Sequence, residues 1–201
     1  LGTAIPGDTV GNFGSAIDML SQRATYFYVD GSRYWYDTQA SVTRTAADIA
    51  DRLREHPEDV WAELIGRLRD KEGSARGDFA AVHVAPESSA EVPDTDVAKL
   101  VILAPEYIHK RNSMDSPALE FAEKLVSRRG SAQRVNRNTV VLLAPDAARM
   151  AELEEATREF LAWNQISDQI TEMNLTAQQA TQVANRRKQA DQTVALRIPA
   201  A

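Results

Sequence analysis

The chain has 201 residues, of which 43% are hydrophobic and 26% are charged, a composition typical of a globular protein with one large domain or two small ones. Its net charge of -6 argues against a broad nucleic-acid-binding surface, which is usually basic, and the absence of cysteine excludes disulfides and thiolate metal sites. No apolar run reaches the roughly 18 residues that would cross a bilayer. We therefore expect a cytoplasmic protein without membrane contacts. Because Leu1 stands where a start methionine would, we also expect a piece of a longer protein.

The first part of the chain is expected to contain three helices and a hairpin. After an initial loop over residues 1–12, apolar spacing predicts a short helix over residues 15–23. Two aromatic runs in residues 26–36, with six of the chain's thirteen Trp, Tyr and Phe residues, flank an Asp-Gly-Ser turn and predict a β-hairpin. Two helices follow, the first from capping residues at 38–43 to Glu55 and the second from Pro57 to about Gly73.

The faces of this hairpin allow three interpretations. With a turn of three residues, Phe27 and Trp35 would pair on one face and the tyrosines would occupy the other. Core packing of one face is the structural interpretation. Exposed tyrosines could instead stack on nucleic-acid bases, with Arg33 on the phosphate backbone, or could bind a partner protein.

The pattern changes at about Gly77, where three short apolar runs begin, over residues 79–85, 100–104 and 139–144. Each run ends in Ala-Pro and an acid, namely Glu87, Glu106 or Asp146. Continuous apolar runs predict strands that are buried on both faces, and proline ends a strand because it has no N–H to donate. A helix over residues 116–129 makes the second and third strands a parallel βαβ unit. The connection between the first two strands is short, which leaves an antiparallel pair open.

The C-terminal part is predicted to be helical over residues 147–163 and 177–196. Thr176 and Gln179 have the spacing of a capping box. The last helix has few large apolar residues, chiefly Val183, Val194 and Leu196. We therefore expect it either to project into solvent or to pack on a partner that is absent from this chain.

These elements predict an α/β fold with a mixed sheet of three central strands plus an aromatic β-hairpin, flanked by helices, with long C-terminal helices. Two parts are expected: residues 1–76, with a helix, the aromatic hairpin and a helical hairpin, and residues 77–201, with the strands and the C-terminal helices. One compact domain is the alternative. The first part could also be a winged-helix-like module with the hairpin as its wing.

No segment contains a complete catalytic motif. There is no Gly-x-x-x-x-Gly-Lys-Ser/Thr phosphate loop, and the three histidines lack metal-ligand spacing. If all three strands are parallel, Glu87, Glu106 and Asp146 would gather at the carboxyl edge of the sheet, where open α/β sheets bind ligands. They would then suit a hydrolase, whereas the structural interpretation is that each acid caps the next element.

A local excess of positive charge covers residues 124–138, which include no acid. It could bind a phosphate or nucleic-acid backbone, or it could consist of arginines at a helix end and in a solvated loop, or it could bind the acidic helix that follows. The candidates for nucleic-acid contact are Arg128, Arg129, Arg134 and, from the hairpin, Arg33.

Several segments, in order along the chain, resemble one family. They are Arg33-Tyr-Trp-Tyr-Asp-Thr-Gln39, Arg76-Gly-Asp-Phe79, Val92-Pro-Asp94, Leu100-Val-Ile-Leu-Ala-Pro-Glu106 and Arg137-Asn-Thr-Val-Val-Leu-Leu-Ala-Pro-Asp146, with shorter matches at 24–28, 42–44 and 161–163. These segments resemble the C-terminal half of large bacterial AAA+-type ATPases catalogued as a domain of unknown function. That group includes the ATPase of the phage growth limitation system and its relatives in phage-defence gene clusters.

The resemblance implies that the parent protein is a cytoplasmic ATPase that binds ATP and Mg²⁺ through a phosphate-binding loop upstream of this chain. This chain would be a non-catalytic regulatory or interaction region with no cofactor of its own, or alternatively a nucleic-acid-binding module. Its partners would be the rest of the parent ATPase, other defence-system proteins or, in the alternative, DNA. No catalytic residue is carried over. Arg44 and Arg137 are candidates for contact with a neighbouring subunit's phosphate, as an arginine finger.

Overall fold

The computed structural model describes residues 10–24, 26–30, 33–36, 41–71 and 76–201 of the chain. The helices are α1 (Val10–Arg23), α2 (Val42–Arg52), α3 (Pro57–Lys71), α4 (Pro117–Ser127), α5 (Ala147–Asp168) and α6 (Ala177–Arg197). The strands are β1 (Phe27–Asp30), β2 (Arg33–Tyr36), β3 (Ala81–Val84), β4 (Lys99–Ile102), β5 (Arg128–Arg129), β6 (Ala132–Gln133) and β7 (Val140–Leu143). Short 3₁₀ turns cover Ser89–Glu91, Arg137–Thr139 and Ile198–Ala200.

The chain forms two compact units. The first unit contains residues 1–55 and 159–189, and the second contains residues 56–158 and 190–201. Helices α5 and α6 therefore supply residues to both units. This division does not coincide with the boundary expected near Gly77, because units are defined by long-range packing and not by a change in local composition.

The second unit is built on a parallel sheet with the spatial order β3-β4-β7. The predicted α/β class is confirmed, and so is the parallel pairing of β4 and β7 on either side of α4. The first pair, β3 and β4, is also parallel, so the antiparallel alternative is wrong and the three central strands form a parallel sheet and not a mixed one. Residues 85–98 make this connection with a 3₁₀ turn instead of an α-helix. A parallel crossover needs about a dozen residues. The fully buried side chain of Val92 fixes this connection in the apolar cluster under α4.

The sheet is covered on both sides, as the apolar strands predict. Val101 of β4 packs with Leu125 of α4 on one side. Leu68 of α3 packs with Val82 of β3 and with Leu100 on the other side. Because β4 is the central strand, its alternating side chains enter both apolar clusters and hold the two layers of helices to the sheet.

Strands β1 and β2 form a separate antiparallel sheet in the first unit, so the predicted hairpin is confirmed. The register pairs Phe27 with Tyr36 and leaves positions 31 and 32, which lie outside the described residues, between the strands. The expected pairing of Phe27 with Trp35 is wrong, because it assumed a turn that is one residue longer. The helix before the hairpin, α1, is longer than expected and begins inside the segment predicted as an initial loop.

Local capping signals mark the beginning of three helices. The Oγ atom of Ser41 accepts a backbone N–H of the first turn of α2 at 3.2 Å. Helix α3 begins at Pro57, where proline is tolerated because the first helical N–H has no partner within the helix. The predicted capping box of α6 is confirmed: Gln179 Oε1 accepts the N–H of Thr176 at 2.8 Å, and Thr176 Oγ1 accepts the N–H of Gln179 at 3.3 Å.

Helix α6 packs within this chain in spite of its polar composition. Val183 and Val194 are fully buried. In the second unit, Asp191 forms an ion pair of 2.7 Å with Arg67 of α3. The expectation that this helix projects into solvent or needs an absent partner is therefore wrong, since a narrow stripe of small apolar residues is enough to bury one face.

Candidate functional site

The three Ala-Pro-acid segments lie at one edge of the parallel sheet. Glu87 follows β3, Glu106 follows β4 and Asp146 follows β7, and because all three strands are parallel, each segment leaves the sheet at its carboxyl edge. At the first of these exits Ala85 has a φ of 47°, in the left-handed region that non-glycine residues rarely adopt. Open α/β sheets commonly bind ligands at this edge.

Asp146 is a helix cap. Its Oδ1 atom accepts the backbone N–H groups of Ala148 and Arg149 at 3.0 and 3.1 Å, at the beginning of α5. A carboxylate at this position is stabilised by the free N–H groups and by the positive end of the helix dipole. The structural interpretation thus explains Asp146, and the hydrolase interpretation retains two acids, Glu87 and Glu106.

Glu87 and Glu106 line a cleft of about 450 Å³ between α3 and the ends of β3 and β4, which we call the sheet-edge cleft. Arg69 and Tyr107 are also in its wall. The remaining lining residues are small or apolar: Ala62, Ile65, Gly66, Ala85, Pro86 and Ala104. The cleft therefore brings a guanidinium group, two carboxylates and a phenol to one opening.

Tyr107 of the sheet-edge cleft packs against α4. Its ring stacks on Phe121 of α4 with a centroid distance of 4.4 Å and an interplanar angle of 22°. Burial raises the pKa of the Tyr107 phenol, and the charge of Glu106 and a hydrogen bond to that carboxylate raise it further. The phenol stays protonated at neutral pH, and its single O–H is donated to the Glu106 carboxylate.

In the part of the chain that the structure describes, no three His, Asp or Glu side chains are grouped closely enough to hold a metal ion. A second cavity of the second unit, of about 390 Å³, has an apolar wall. The wall includes Leu64, Leu68, Met150 and Leu153, together with Leu143 at the exposed edge of β7. This cavity suits apolar groups and offers no acid or base.

Arg134 has a role within the fold. Only 2% of its surface is exposed. Its guanidinium donates to the backbone carbonyls of Leu125, Val92 and Pro93 at 2.9, 2.9 and 3.0 Å. The placement of Arg134 among the nucleic-acid candidates therefore needs correction, since its charged group is already enclosed by carbonyl oxygens and has no surface to offer a phosphate.

The other arginines of the basic segment are exposed. Arg128 and Arg129 form one strand of the small β5–β6 hairpin, which the sequence analysis did not predict. Arg137 donates from Nε to the carbonyl of Arg134 at 3.2 Å and lies in a shallow depression beside Lys124 and two glutamates of α4. Acids from α4 thus offset part of the positive charge of this surface.

The remaining two arginine candidates belong to the first unit. Arg44 forms an ion pair of 2.8 Å with Asp48, one turn further along α2. Arg33 lies exposed on β2. An exposed ion pair contributes little free energy, so Arg44 could release Asp48 at small cost. The arginine-finger hypothesis stays a prediction for both Arg44 and Arg137.

The hairpin presents aromatic side chains to solvent. Phe27 is buried beneath the rings of Tyr34 and Tyr36, with centroid distances of 5.9 and 5.3 Å. Tyr34 and Tyr36 are 46% and 70% exposed, and Tyr26, just before β1, is 51% exposed. The side chains of Tyr28 and Trp35 lie outside the described part of the chain. One hairpin face therefore has a buried aromatic base and an exposed aromatic surface.

Sequence reasoning missed Arg69, Gly66 and Tyr107 as residues of the sheet-edge cleft. The available signal was on α3, where Ala62, Ile65, Gly66 and Arg69 follow the helical repeat and share one face. A glycine inside a predicted helix lowers stability relative to alanine and therefore marks a position where packing or function could require it. Tyr107 gave no signal of its own, because its role depends on the stacking partner that α4 brings.

In the described residues, no helix is long and apolar enough to cross a membrane. Comparisons with protein-family models, with curated proteins and with solved structures found no match for this chain.

Proposed function

We propose that this chain is a non-catalytic regulatory or interaction region of a cytoplasmic AAA+-type ATPase that acts in bacterial phage defence. The proposal that the parent protein is such an ATPase is supported by the motifs that resemble this family and by their order along the chain. In that protein, ATP and Mg²⁺ would bind upstream, at a phosphate-binding loop. The observation that carries the interaction role is the exposed aromatic surface of the hairpin, formed by Tyr34 and Tyr36.

This surface is suited to a protein contact. Tyrosine buries a large area on binding and loses little conformational entropy, because it has only two side-chain torsions. Phe27 supports the rings of Tyr34 and Tyr36 from below, so their positions are fixed before any partner arrives. The matching surface on the ATPase motor should therefore be largely apolar.

The test is ATP hydrolysis by the full-length parent protein carrying Tyr34→Ser together with Tyr36→Ser. We expect kcat to change by about fivefold or more, the lower limit of typical coupling between sites, at a temperature where thermal unfolding shows that the variant is folded. Loss of the two ring contacts with Phe27 should lower the melting temperature. Met114→Ser with Val135→Ser is the matched control, since it removes two strongly exposed apolar side chains of the second unit. Equal kcat in both double variants and the wild type would refute the proposal.

A nucleic-acid-binding module is the second candidate, favoured by the exposed Arg128 and Arg129 on the β5–β6 hairpin. Contacts of these arginines to phosphates would make DNA affinity fall steeply with salt. Arg128→Gln with Arg129→Gln should weaken binding and flatten that salt dependence. Arg54→Gln with Arg149→Gln removes the same charge from other exposed positions. Equal losses in both variants would show that only the net charge matters and would count against a binding module.

A further inference from the structure

The sheet-edge cleft contains opposite charges that do not touch. Arg69 forms no ion pair with Glu87, with Glu106 or with any other residue that the structure describes. Arg69, Glu87 and Glu106 are all exposed to solvent, and an exposed ion pair contributes little free energy, so these charges stay available to a ligand. The arrangement therefore fits a ligand that carries a negative group toward Arg69 and positive groups toward the two carboxylates.

Gly66 leaves open space in the wall of the sheet-edge cleft. It lies in the interior of α3, where glycine is less favourable than alanine, and a Cβ atom built on it would meet nothing within 4 Å. No neighbour in the fold thus requires glycine at this position. Because Gly66 lines the sheet-edge cleft, a methyl group there would occupy cleft volume.

We propose that the sheet-edge cleft binds a free basic amino acid, a small molecule with two ammonium groups and one carboxylate. One guanidinium and two carboxylates match that charge pattern, and a volume of about 450 Å³ is in the range of small-molecule sites. Arg69 binds the ligand carboxylate, and Glu87 and Glu106 bind the ammonium groups. The Tyr107 phenol donates to Glu106 and holds that carboxylate in position. This site is in the second unit and goes beyond the interaction role proposed for the hairpin.

Titration calorimetry with the full chain can measure the contribution of each ligand charge by comparing the affinities of three small molecules. L-lysine carries all three charges, L-norleucine lacks the side-chain ammonium group, and cadaverine lacks the carboxylate. L-lysine should bind at least about fivefold tighter than either analogue, since each analogue leaves one charge-assisted hydrogen bond unmade. Equal affinity for the three probes, or no binding of lysine, would overturn the proposal.

Variants then assign each charge to a residue. Arg69→Gln should remove the preference for lysine over cadaverine and keep the preference over norleucine. Glu87→Gln with Glu106→Gln should do the reverse. Lys110→Gln, an exposed residue outside the cleft lining, is the matched control and should change neither ratio. Ratios that stay unchanged in the cleft variants would refute the assignment, even if total affinity falls.

Gly66→Ala separates binding from folding. The methyl group should raise the melting temperature, because helix propensity improves and no clash arises, and should weaken lysine binding because the cleft becomes smaller. A variant that is more stable and binds lysine as the wild type does would show that the glycine does not serve a ligand, and would count against the site. Failure of this proposal would leave the ATPase experiment on the hairpin unaffected.

Discussion

Replacement of the buried Arg134 by methionine should destabilise the second unit strongly. Methionine keeps a similar apolar stem and removes the donors that serve the carbonyls of Leu125, Val92 and Pro93. A buried acceptor left without its donor costs about 1–3 kcal/mol. Water can reach part of a loop, so the lower value applies to each of the three carbonyls and the expected loss is about 3 kcal/mol. For a chain of this length, that loss lowers the melting temperature by about 6–12 °C.

Thermal unfolding by circular dichroism measures the loss, and hydrogen exchange of residues 88–97 and 130–139 locates it. Arg129→Met is the control, because it removes an exposed arginine from the β5–β6 hairpin that precedes Arg134 and should stay within about 0.5 kcal/mol of the wild type. Arg134→Lys should fall between them, since an ammonium group cannot reproduce the planar fork of guanidinium. The reasoning fails if Arg134→Met and Arg129→Met unfold at the same temperature.

Three further changes test other parts of the structure. Gly66→Ala should stabilise the chain by about 1 kcal/mol in urea unfolding, because an interior helical glycine is replaced where no atom obstructs a methyl group. Thr176→Ala should cost about 1 kcal/mol in the same assay by removing the capping box of α6. Hydrogen bonds from the backbone N–H groups of Val135 and Asn136 lower the pKa of Asp94 below its ordinary 3.8. The Asp94 carboxylate therefore stabilises the folded chain fully above about pH 3.8, and this stabilisation is lost as pH falls through the lower pKa of the folded state. Asp94→Asn should thus make the free energy of unfolding depend less on pH in acid.

Local chemistry made much of this fold predictable. Pro57 and the capping box at Thr176 set helix starts by interactions within one turn, and the sequence is sufficient to recognise such interactions. The Ala-Pro-acid segments marked the ends of the three central strands for the same reason, since proline cannot donate to a strand ladder wherever it occurs. The aromatic hairpin was equally visible. Its pairing was not, because one residue in the turn decides which side chains face each other.

Long-range packing decided the features that were mispredicted. Arg134 and Arg137 are the same residue type three positions apart, and no local pattern distinguishes them. One is buried and the other is exposed because the connection after β3 brings its carbonyls to Arg134 alone. The packing of helix α6 was mispredicted for the same reason. The helix has few large apolar residues, yet Val183 and Val194 are both fully buried.

The motif Val92-Pro-Asp94, one of the segments that resemble the ATPase family, has a role in the fold. The carbonyls of Val92 and Pro93 accept hydrogen bonds from Arg134, and the Asp94 carboxylate accepts the N–H groups of Val135 and Asn136 at 2.7 and 2.9 Å. Each residue of the motif therefore joins the connection after β3 to the segment before β7. This structural role accounts for all three residues of the motif and gives no indication of a chemical function. Among the described residues, the groups that the fold leaves unused include the exposed tyrosines of the hairpin and the charges of the sheet-edge cleft, and these groups are the better candidates for function.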